Sequence, residues 1–330
     1  MKQKENAPTM KDVAREAGVA LGTVSKVFNS IPVGEDYRRR VEEAAKRLGY
    51  QVNSYARGLK TNRTCSVALI LPNVTDPFFA LLAQGVCSAL AQRGYRTILS
   101  TTAYNRSAEQ RCIQMVQQSK VDGIIGLTYT PDLDVDPRLP YVSIDRYFSL
   151  GVPCVSSDNF GGGQLAAEKL LELGCERPLF LRIGSKVPGE SDKRGDGFES
   201  VFRQKQMGCV SLRLSDEEGY APFRDFLSSH MEGGRLAFDG IFCVNDALAI
   251  QIRAMLLELG LRVPEDVQII GFDGIRRFAQ DGFYCSTIVQ PVSRLAETSV
   301  DLLLREDRSN LPSLVCLPVA YAAGGTTQEP

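Results

Sequence analysis

The chain has 330 residues, 44% apolar and 23% charged, with 38 Lys+Arg against 39 Asp+Glu for a formal net charge of −1. That length suits two or three domains, and no apolar run approaches the ~20 residues of a membrane-spanning helix, so a globular chain without a membrane partner is expected. Nine cysteines, an odd number with no CxxC pair, argue against a disulfide framework or zinc site and for a reducing cytosol.

Each cysteine reads as a small buried apolar residue. The opening MKQKENAPT has no apolar signal core, so a cytoplasmic protein is expected. The charge is uneven: residues 1–63 hold 13 Lys+Arg and 7 Asp+Glu, a sum of +6, and the remainder sums to −7. A basic head on an acidic body suits a polyanionic partner, although a solvated helix surface also accounts for charge alone.

In the head, Thr9 can cap a helix over Met10–Ala17, with Asp12 at the capping-box position and Val13, Ala14 and Ala17 inward. Gly18 suits a tight turn. The next helix lies in VALGTVSKVFNS, residues 19–30, where Val24, Val27 and Phe28 share one face. Its other face carries Leu21, Gly22, Thr23, Ser25 and Lys26, slim residues with a single charge. A third helix runs over Glu35–Leu48, with Val41, Ala44, Ala45 and Leu48 inward and Gly49 closing it. Helix, Gly turn, helix is the helix-turn-helix pattern, whose second helix enters the DNA major groove. A slim face fits that groove. Thr23 and Ser25 can donate hydroxyls to phosphates, and Lys26 can reach guanine O6 and N7 or a phosphate.

TMKDVAREAGVALGTVSKVFNS, residues 9–30, followed by VEEAAKRLGYQVNSYARGLKTNRT, residues 41–64, resembles the head of the LacI/GalR family of bacterial repressors. The resemblance implies DNA contacts from Thr9, Leu21, Gly22, Thr23, Ser25, Lys26, Asn29, Ala56 and Leu59, with Leu59 as a minor-groove wedge on a hinge helix in 53–63. A plain interdomain linker with an incidental Leu is the other reading of that hinge. The head departs from the family pattern in three places. Ala20 and Gly34 stand at usual capping positions, and Gly22 offers no side chain for base reading.

From Cys65 onward strand and helix patterns alternate: CSVALILP, FFALLAQGVCSALAQRGY, RTILSTT, SAEQRCIQMVQQSK and DGIIGLT, and on through PLFLRIGS, FDGIFCVN, DALAIQIRAMLLELG, VQIIGFDG and RLAETSVDLLLRE. These are βαβ units, hence parallel sheets covered by helices. The fold class expected is a small all-α helix-turn-helix head plus an α/β core of two lobes. The core resembles the periplasmic sugar-binding-protein fold. The domains are placed at 1–52, the hinge 53–63 and the core 64–330. The resemblance implies strand exchange, with lobe one near 64–160 and 290–318 and lobe two near 161–289 and 319–330.

Ligands bind at the carboxyl ends of strands in open α/β sheets. Polar and aromatic residues at such positions are Asp76 with Phe78 and Phe79, Asp145 with Arg146, Asp158, Asn245, Asp273 and Gln290, and Arg194 opens a helix. Rings with carboxylates, amides and an Arg suit a hydroxyl-rich ligand. Phe78, Arg194, Asn245, Asp273 and Gln290 match family segments that line a sugar cleft. Asp145, Asp158 and Asn245 also read as helix or turn caps. Cys175 stands where a His is usual, and Gly324 and Gly325 where Arg and Ser are usual.

GGGQLA, residues 161–166, matches a dinucleotide pattern, against which stands simple close packing of a helix start. One His and no phosphate loop argue against an enzyme, a cofactor or a metal. The reading is a DNA-binding regulator that binds a double-stranded operator and a sugar-like effector, as a homodimer or tetramer, with inducer and co-repressor both open. An NAD(P)-dependent oxidoreductase and a DNA-binding protein without an effector are the alternatives.

Overall fold

The computed structural model describes residues 8–28, 31–50, 64–119, 121–146, 151–277 and 281–329. The chain forms two compact units, Met1–Thr64 and Cys65–Pro330.

The first unit holds α1 (Met10–Ala17), α2 (Leu21–Phe28) and α3 (Glu35–Leu48). Asp12 N–H donates to the Thr9 hydroxyl at 3.4 Å and Thr9 N–H donates to the Asp12 carboxylate at 2.9 Å, so the expected capping box forms. Gly18 ends α1 at φ 61, a left-handed conformation that favours glycine. Arg40 of α3 donates to the carbonyls of Ala17 and Gly18 at 2.7 and 3.1 Å and ties the turn to the third helix. Val13, Val24, Val41 and Ala44 are fully buried, and Phe28 packs on Tyr50 with ring centroids 5.4 Å apart.

The second unit has two six-stranded sheets. The first contains β1 (Ser66–Leu71), β2 (Arg96–Thr101), β3 (Gly123–Gly126), β4 (Tyr141–Ile144), β5 (Cys154–Ser157) and β13 (Leu314–Leu317), in the order β13-β5-β4-β3-β1-β2, all parallel. The second contains β6 (Pro178–Gly184), β7 (Val210–Ser215), β10 (Gly240–Cys243), β11 (Gln268–Asp273), β12 (Ser286–Val289) and β14 (Ala320–Ala322), in the order β14-β12-β11-β10-β6-β7. A short hairpin joins β8 (Met231–Glu232) and β9 (Arg235–Leu236). Helices α4 (Pro77–Gln92), α5 (Arg106–Gln118) and α10 (Val292–Leu304) cover the first sheet. Helices α6 (Asn159–Glu172), α7 (Lys193–Gln204), α8 (Ala221–Ser229) and α9 (Asp246–Glu258) cover the second. Strands such as β1 are buried on both faces, which explains their unbroken apolar runs.

One strand departs from the expected parallel sheets. β14 pairs antiparallel to β12. The chain leaves β13 at the carboxyl edge of the first sheet and reaches β14 after two residues. It therefore enters the second sheet at its carboxyl edge and must run backwards. Beyond β14, Gly324 N–H donates to the Ser286 hydroxyl at 3.0 Å, and Thr326 accepts from Ser286 N–H at 2.8 Å. A Cβ on Gly324 would overlap the Cys285 carbonyl, so glycine is what lets the tail lie this close to β12.

The glycines of GGGQLA serve packing. A Cβ on Gly163 would overlap the Arg194 carbonyl oxygen, and one on Gly197 the Phe160 carbonyl oxygen, so α6 and α7 meet backbone to backbone. Phe180, Phe198, Phe202 and Phe242 fill the adjoining core, with ring centroids of Phe198 5.0 and 5.1 Å from those of Phe202 and Phe242.

Candidate functional site

Helix α2 buries Val24 and leaves the opposite side lightly clothed. Leu21 is 43% exposed, Gly22 and Lys26 are exposed, and Thr23 and Ser25 are half-buried. A Cβ on Gly22 would meet nothing within 4 Å, so the slimness is not imposed by packing inside this unit. The first turn has no side-chain cap: the Ala20 carbonyl accepts from Thr23 and Val24 N–H at 2.9 and 3.3 Å, and its methyl offers no oxygen. Thr9 is exposed, but its hydroxyl donates to Asp12 at 2.7 Å as part of the cap. Asn29, Ala56, Leu59 and the expected 53–63 hinge lie outside the described residues.

The second unit has a polar cavity of about 130 Å³ between the carboxyl edges of its two sheets. Lobe one contributes Asp76, Phe78 and Phe79 at the start of α4, Tyr104 after β2, Tyr129 after β3, and Asp145 with Arg146 after β4. Lobe two contributes Arg182 and Ser185 from the end of β6, Arg194, Asp216 after β7, Asn245 after β10, and Asp273 at the end of β11. Eight of the ten expected residues therefore meet in one place. Asp158 and Gln290 do not line it. The Asp158 carboxylate caps α6, accepting from Gly161 N–H at 2.8 Å. Gln290 is buried one layer behind the cavity.

Gln290 belongs to a closed chain of hydrogen bonds beneath the site. Its amide donates to Asp273 at 2.7 Å and its carbonyl accepts from the Ser157 hydroxyl at 2.7 Å. Asp273 also faces Arg194 at 3.4 Å. Arg194 donates to Asn159 and to the Val244 carbonyl, each at 2.7 Å, and its guanidinium lies 3.7 Å from the centre of the Phe272 ring. The Asn159 amide donates to Ser156 at 3.0 Å, and Ser156 donates to Asp145 at 2.6 Å. The residues straddle the crossovers β5–α6 and β12–α10, where the chain passes between lobes. Arg146, stacked 4.1 Å over Tyr129, donates across the cleft to the Val187 carbonyl at 3.2 Å.

Asn159, Ser156, Ser157, Tyr104, Tyr129, Arg182 and Asp216 were outside the expected set. Asp216 and Arg182 had a usable signal, since both sit at the ends of strands. Asn159 and the two serines had none, because their importance comes from what packs against them.

The environment raises three carboxylates of the cavity, Asp76, Asp216 and Asp273. Burial pushes the pKa of Asp76 upward, opposed by the amides of Phe78 and Phe79 and by Arg194. Burial likewise raises Asp273 well above the usual carboxylate range, with Arg194 opposing and Asp246 and Asp76 adding to the shift. Burial raises Asp216 too, opposed by Arg182 and Arg146. Such groups gain most from a ligand that donates hydrogen bonds. Asn245 caps α9 through its oxygen at 2.8 Å, and among the described residues its amide N–H₂ has no acceptor, so it can donate into the cavity that it lines. Two backbones here are strained: Asp145 has φ 52 and Asp273 φ 119. Among the described residues no cluster of three His, Cys, Asp or Glu is placed to hold a metal ion, and no helix is long and apolar enough to cross a membrane.

Comparison with known proteins agrees with both units. Residues 9–53 match the model of the bacterial regulatory proteins of the lacI family. Residues 64–299 match that of the periplasmic binding proteins and sugar binding domain of the LacI family. The chain is 32% identical over 320 residues to the sucrose operon repressor of Streptococcus mutans serotype c, covering 96% of this chain and 98% of that one. It is 33% identical over 334 residues to the ribose operon repressor of Bacillus subtilis, covering 97% and 99%. A solved periplasmic binding protein/LacI transcriptional regulator from Alkaliphilus metalliredigens, complexed with D-xylulofuranose, superposes with a TM-score of 0.70 at 27% identity, over 80% of this chain and 99% of that one. With a helix-turn-helix head and a two-lobed α/β ligand-binding core, the chain belongs to the LacI family of bacterial regulatory proteins and is a DNA-binding regulator, not an enzyme.

Proposed function

We propose that this protein is a cytoplasmic repressor that binds a pseudo-palindromic operator as a homodimer and senses a sugar. The observation that carries the proposal is the cleft. Carboxylates and amides from the strand ends of both lobes surround one polar cavity, and they rest on hydrogen bonds that cross between the lobes. A hydroxyl-rich ligand joins the two walls and so favours one degree of lobe closure, and unequal affinity for two closures is what regulation requires. The names of the relatives, sucrose and ribose operon repressors, and the pentulose bound by the Alkaliphilus protein support the same ligand class.

In the head, Leu21 and Lys26 reach base edges while Thr23 and Ser25 hold phosphates. The exposed apolar residues Leu81, Leu99 and Met115 of lobe one and Ile250, Leu257 and Tyr284 of lobe two supply surface for a second copy. Selection of bound fragments from random DNA should return two half-sites about one helical turn apart. Lys26→Ala should cost about 1–3 kcal/mol on that site and relax one base pair per half-site. An equal loss on scrambled DNA would move Lys26 to the phosphate backbone. A thermal-shift screen of sugars, followed by operator binding with each hit, tests the sensing. A protein that binds its operator and no sugar would be a DNA-binding protein without this effector.

A further inference from the structure

A second cavity, of about 430 Å³, adjoins the first. The two share Tyr104, Tyr129, Ser185 and Asp216, which form a neck between them. Tyr104 and Tyr129 stand edge to face there, ring centroids 4.9 Å apart, and Asn73 donates to the Tyr104 hydroxyl at 3.1 Å. Beyond the neck the walls are Thr130 and Pro131 from lobe one and Val187 from lobe two, with Arg106 and Lys186 at the rim. The inner chamber is well below the ~300 Å³ at which pockets for drug-sized ligands begin, and the outer chamber exceeds it.

Four of the five cations lining this space are in ion pairs among the described residues. Arg106 meets Asp132 at 2.6 Å, Lys186 meets Glu217 at 2.6 Å, and Arg182 meets Asp192 at 2.6 Å. Arg194 is held by Asn159, Val244 and Asp273. At the neck the reverse holds. Among the described residues no donor bonds the Asp216 carboxylate, although it lines both chambers. Arg146, which lines the inner chamber, has no carboxylate partner among the described residues and is engaged by the Val187 carbonyl at 3.2 Å and by the Tyr129 ring, so each cation here has a partner, and the Asp216 carboxylate is an acceptor for hydroxyls. Aromatic and aliphatic walls beyond the neck suit the C–H faces of a sugar ring.

We propose that the effector is an uncharged disaccharide, with one ring in the inner chamber, the second over Tyr104, Pro131 and Val187, and hydroxyls near the junction on Asp216. This rests on the sugar reading of the cleft. Asp216 and the outer walls then set specificity for ligand length, and Asp273 and Asn245 hold the inner ring. A phosphorylated sugar brings its charge against the Asp216 carboxylate, which Arg182 and Arg146 offset only in part, and binds more weakly.

The test is calorimetric titration of the full-length protein with ribose, glucose, fructose, sucrose, maltose, cellobiose and glucose 6-phosphate. At least one neutral disaccharide should bind tenfold or more tighter than either component sugar and than the phosphate. Asp216→Ala should weaken that disaccharide tenfold or more, the loss of a hydrogen bond to a charged group. Val187→Trp, which fills the outer chamber, should weaken the disaccharide as much and leave the better component monosaccharide within threefold of wild type. Pro131→Trp fills the same chamber from the facing wall and repeats the test should Val187→Trp fail to fold. A monosaccharide or glucose 6-phosphate that binds as tightly as every disaccharide overturns the two-chamber assignment and leaves the sugar reading standing, as does unchanged disaccharide affinity in the filled variants. Binding of no sugar of either size removes the sugar reading itself, and this assignment with it.

Discussion

Asp145 and Asp273 hold backbone conformations that aspartate adopts at a cost, at φ 52 and φ 119, and both are buried. At ordinary φ, glycine is less stable than alanine by about 0.5–1 kcal/mol. At Asp145 the order should invert, because alanine keeps the Cβ clash and glycine loses it. Asp145→Gly should unfold at higher denaturant than Asp145→Ala by about 1 kcal/mol. An ordinary glycine penalty would show that the loop relaxes. Asp273 permits a cleaner functional test than Arg194. Asp273→Asn keeps an oxygen for Gln290 and removes the charge, whereas Arg194→Ala strips the donor from Asn159, Val244 and Asp273 at once and threatens the fold. Asp273→Asn should therefore weaken effector binding by one to two decades, about 1.5–3 kcal/mol, with operator binding in the absence of effector retained if the effector is an inducer. Effector affinity should also fall as the pH drops. Asp76, Asp216 and Asp273 have raised pKa values, and a protonated carboxyl must lose its proton to accept ligand hydroxyls fully. The decline should begin above the range where exposed carboxylates titrate, and a flat profile in calorimetry down to that range would take these groups out of the contact set.

The elements around the cleft depend on close backbone approach. Helices α6 and α7 meet through Gly163 and Gly197, and this contact places Arg194 beside Asn159. Gly163→Ala should destabilise the core by about 1–3 kcal/mol, as overpacking does, and weaken the effector as well because Arg194 moves with its helix. Denaturant midpoints and effector affinity together check this, and a variant of full stability would mean that α7 shifts freely. The same geometry explains why GGGQLA looks like a nucleotide motif. Glycine is needed wherever a backbone comes close to a helix start, whether the neighbour is a phosphate or another helix.

At the scale of the whole molecule, one buried group links the core to pH. Burial raises Asp246 to about 6, opposed by the Ile275 N–H that it accepts at 2.7 Å and by Thr287 and Cys285. Its unfolded value is near 3.9. Between those values the folded chain binds a proton that the unfolded chain has lost, so this group's stabilising contribution is full below about pH 4 and is lost as the pH rises through 6. Asp246→Asn keeps an acceptor and removes the titration. The stability of wild type relative to this variant should fall from pH 4 to pH 7 by a few kcal/mol at most, read from denaturant midpoints at each pH. A constant difference would show that the carboxyl does not titrate there. The basic head adds a salt dependence: operator affinity should fall steeply with salt as phosphate counterions are displaced, and a shallow slope would count against the head as the DNA-binding unit.

Much of this was legible along the chain, since it is encoded by neighbours in sequence. The capping box at Thr9 and Asp12, the left-handed Gly18, the 3.6-residue spacing in α3 and the apolar runs of β1 and β11 are local physics. The parallel α/β class follows from their alternation. The strand ends likewise pointed to Asp76, Asn245 and Asp273. What pattern could not show was which strand-end groups face one another. Asp158 and Asn245 both follow a strand and both cap the next helix through a side-chain oxygen, yet only Asn245 lines the cavity. Gln290 looked like a ligand contact and instead braces Asp273 from behind. Asp216 and the tyrosines at the neck acquire meaning only because residues more than a hundred positions away close the space around them. Local structure depends on torsions and hydrogen bonds within a few residues. A binding site depends on the distances between strand ends, and those are set when the sheets pack.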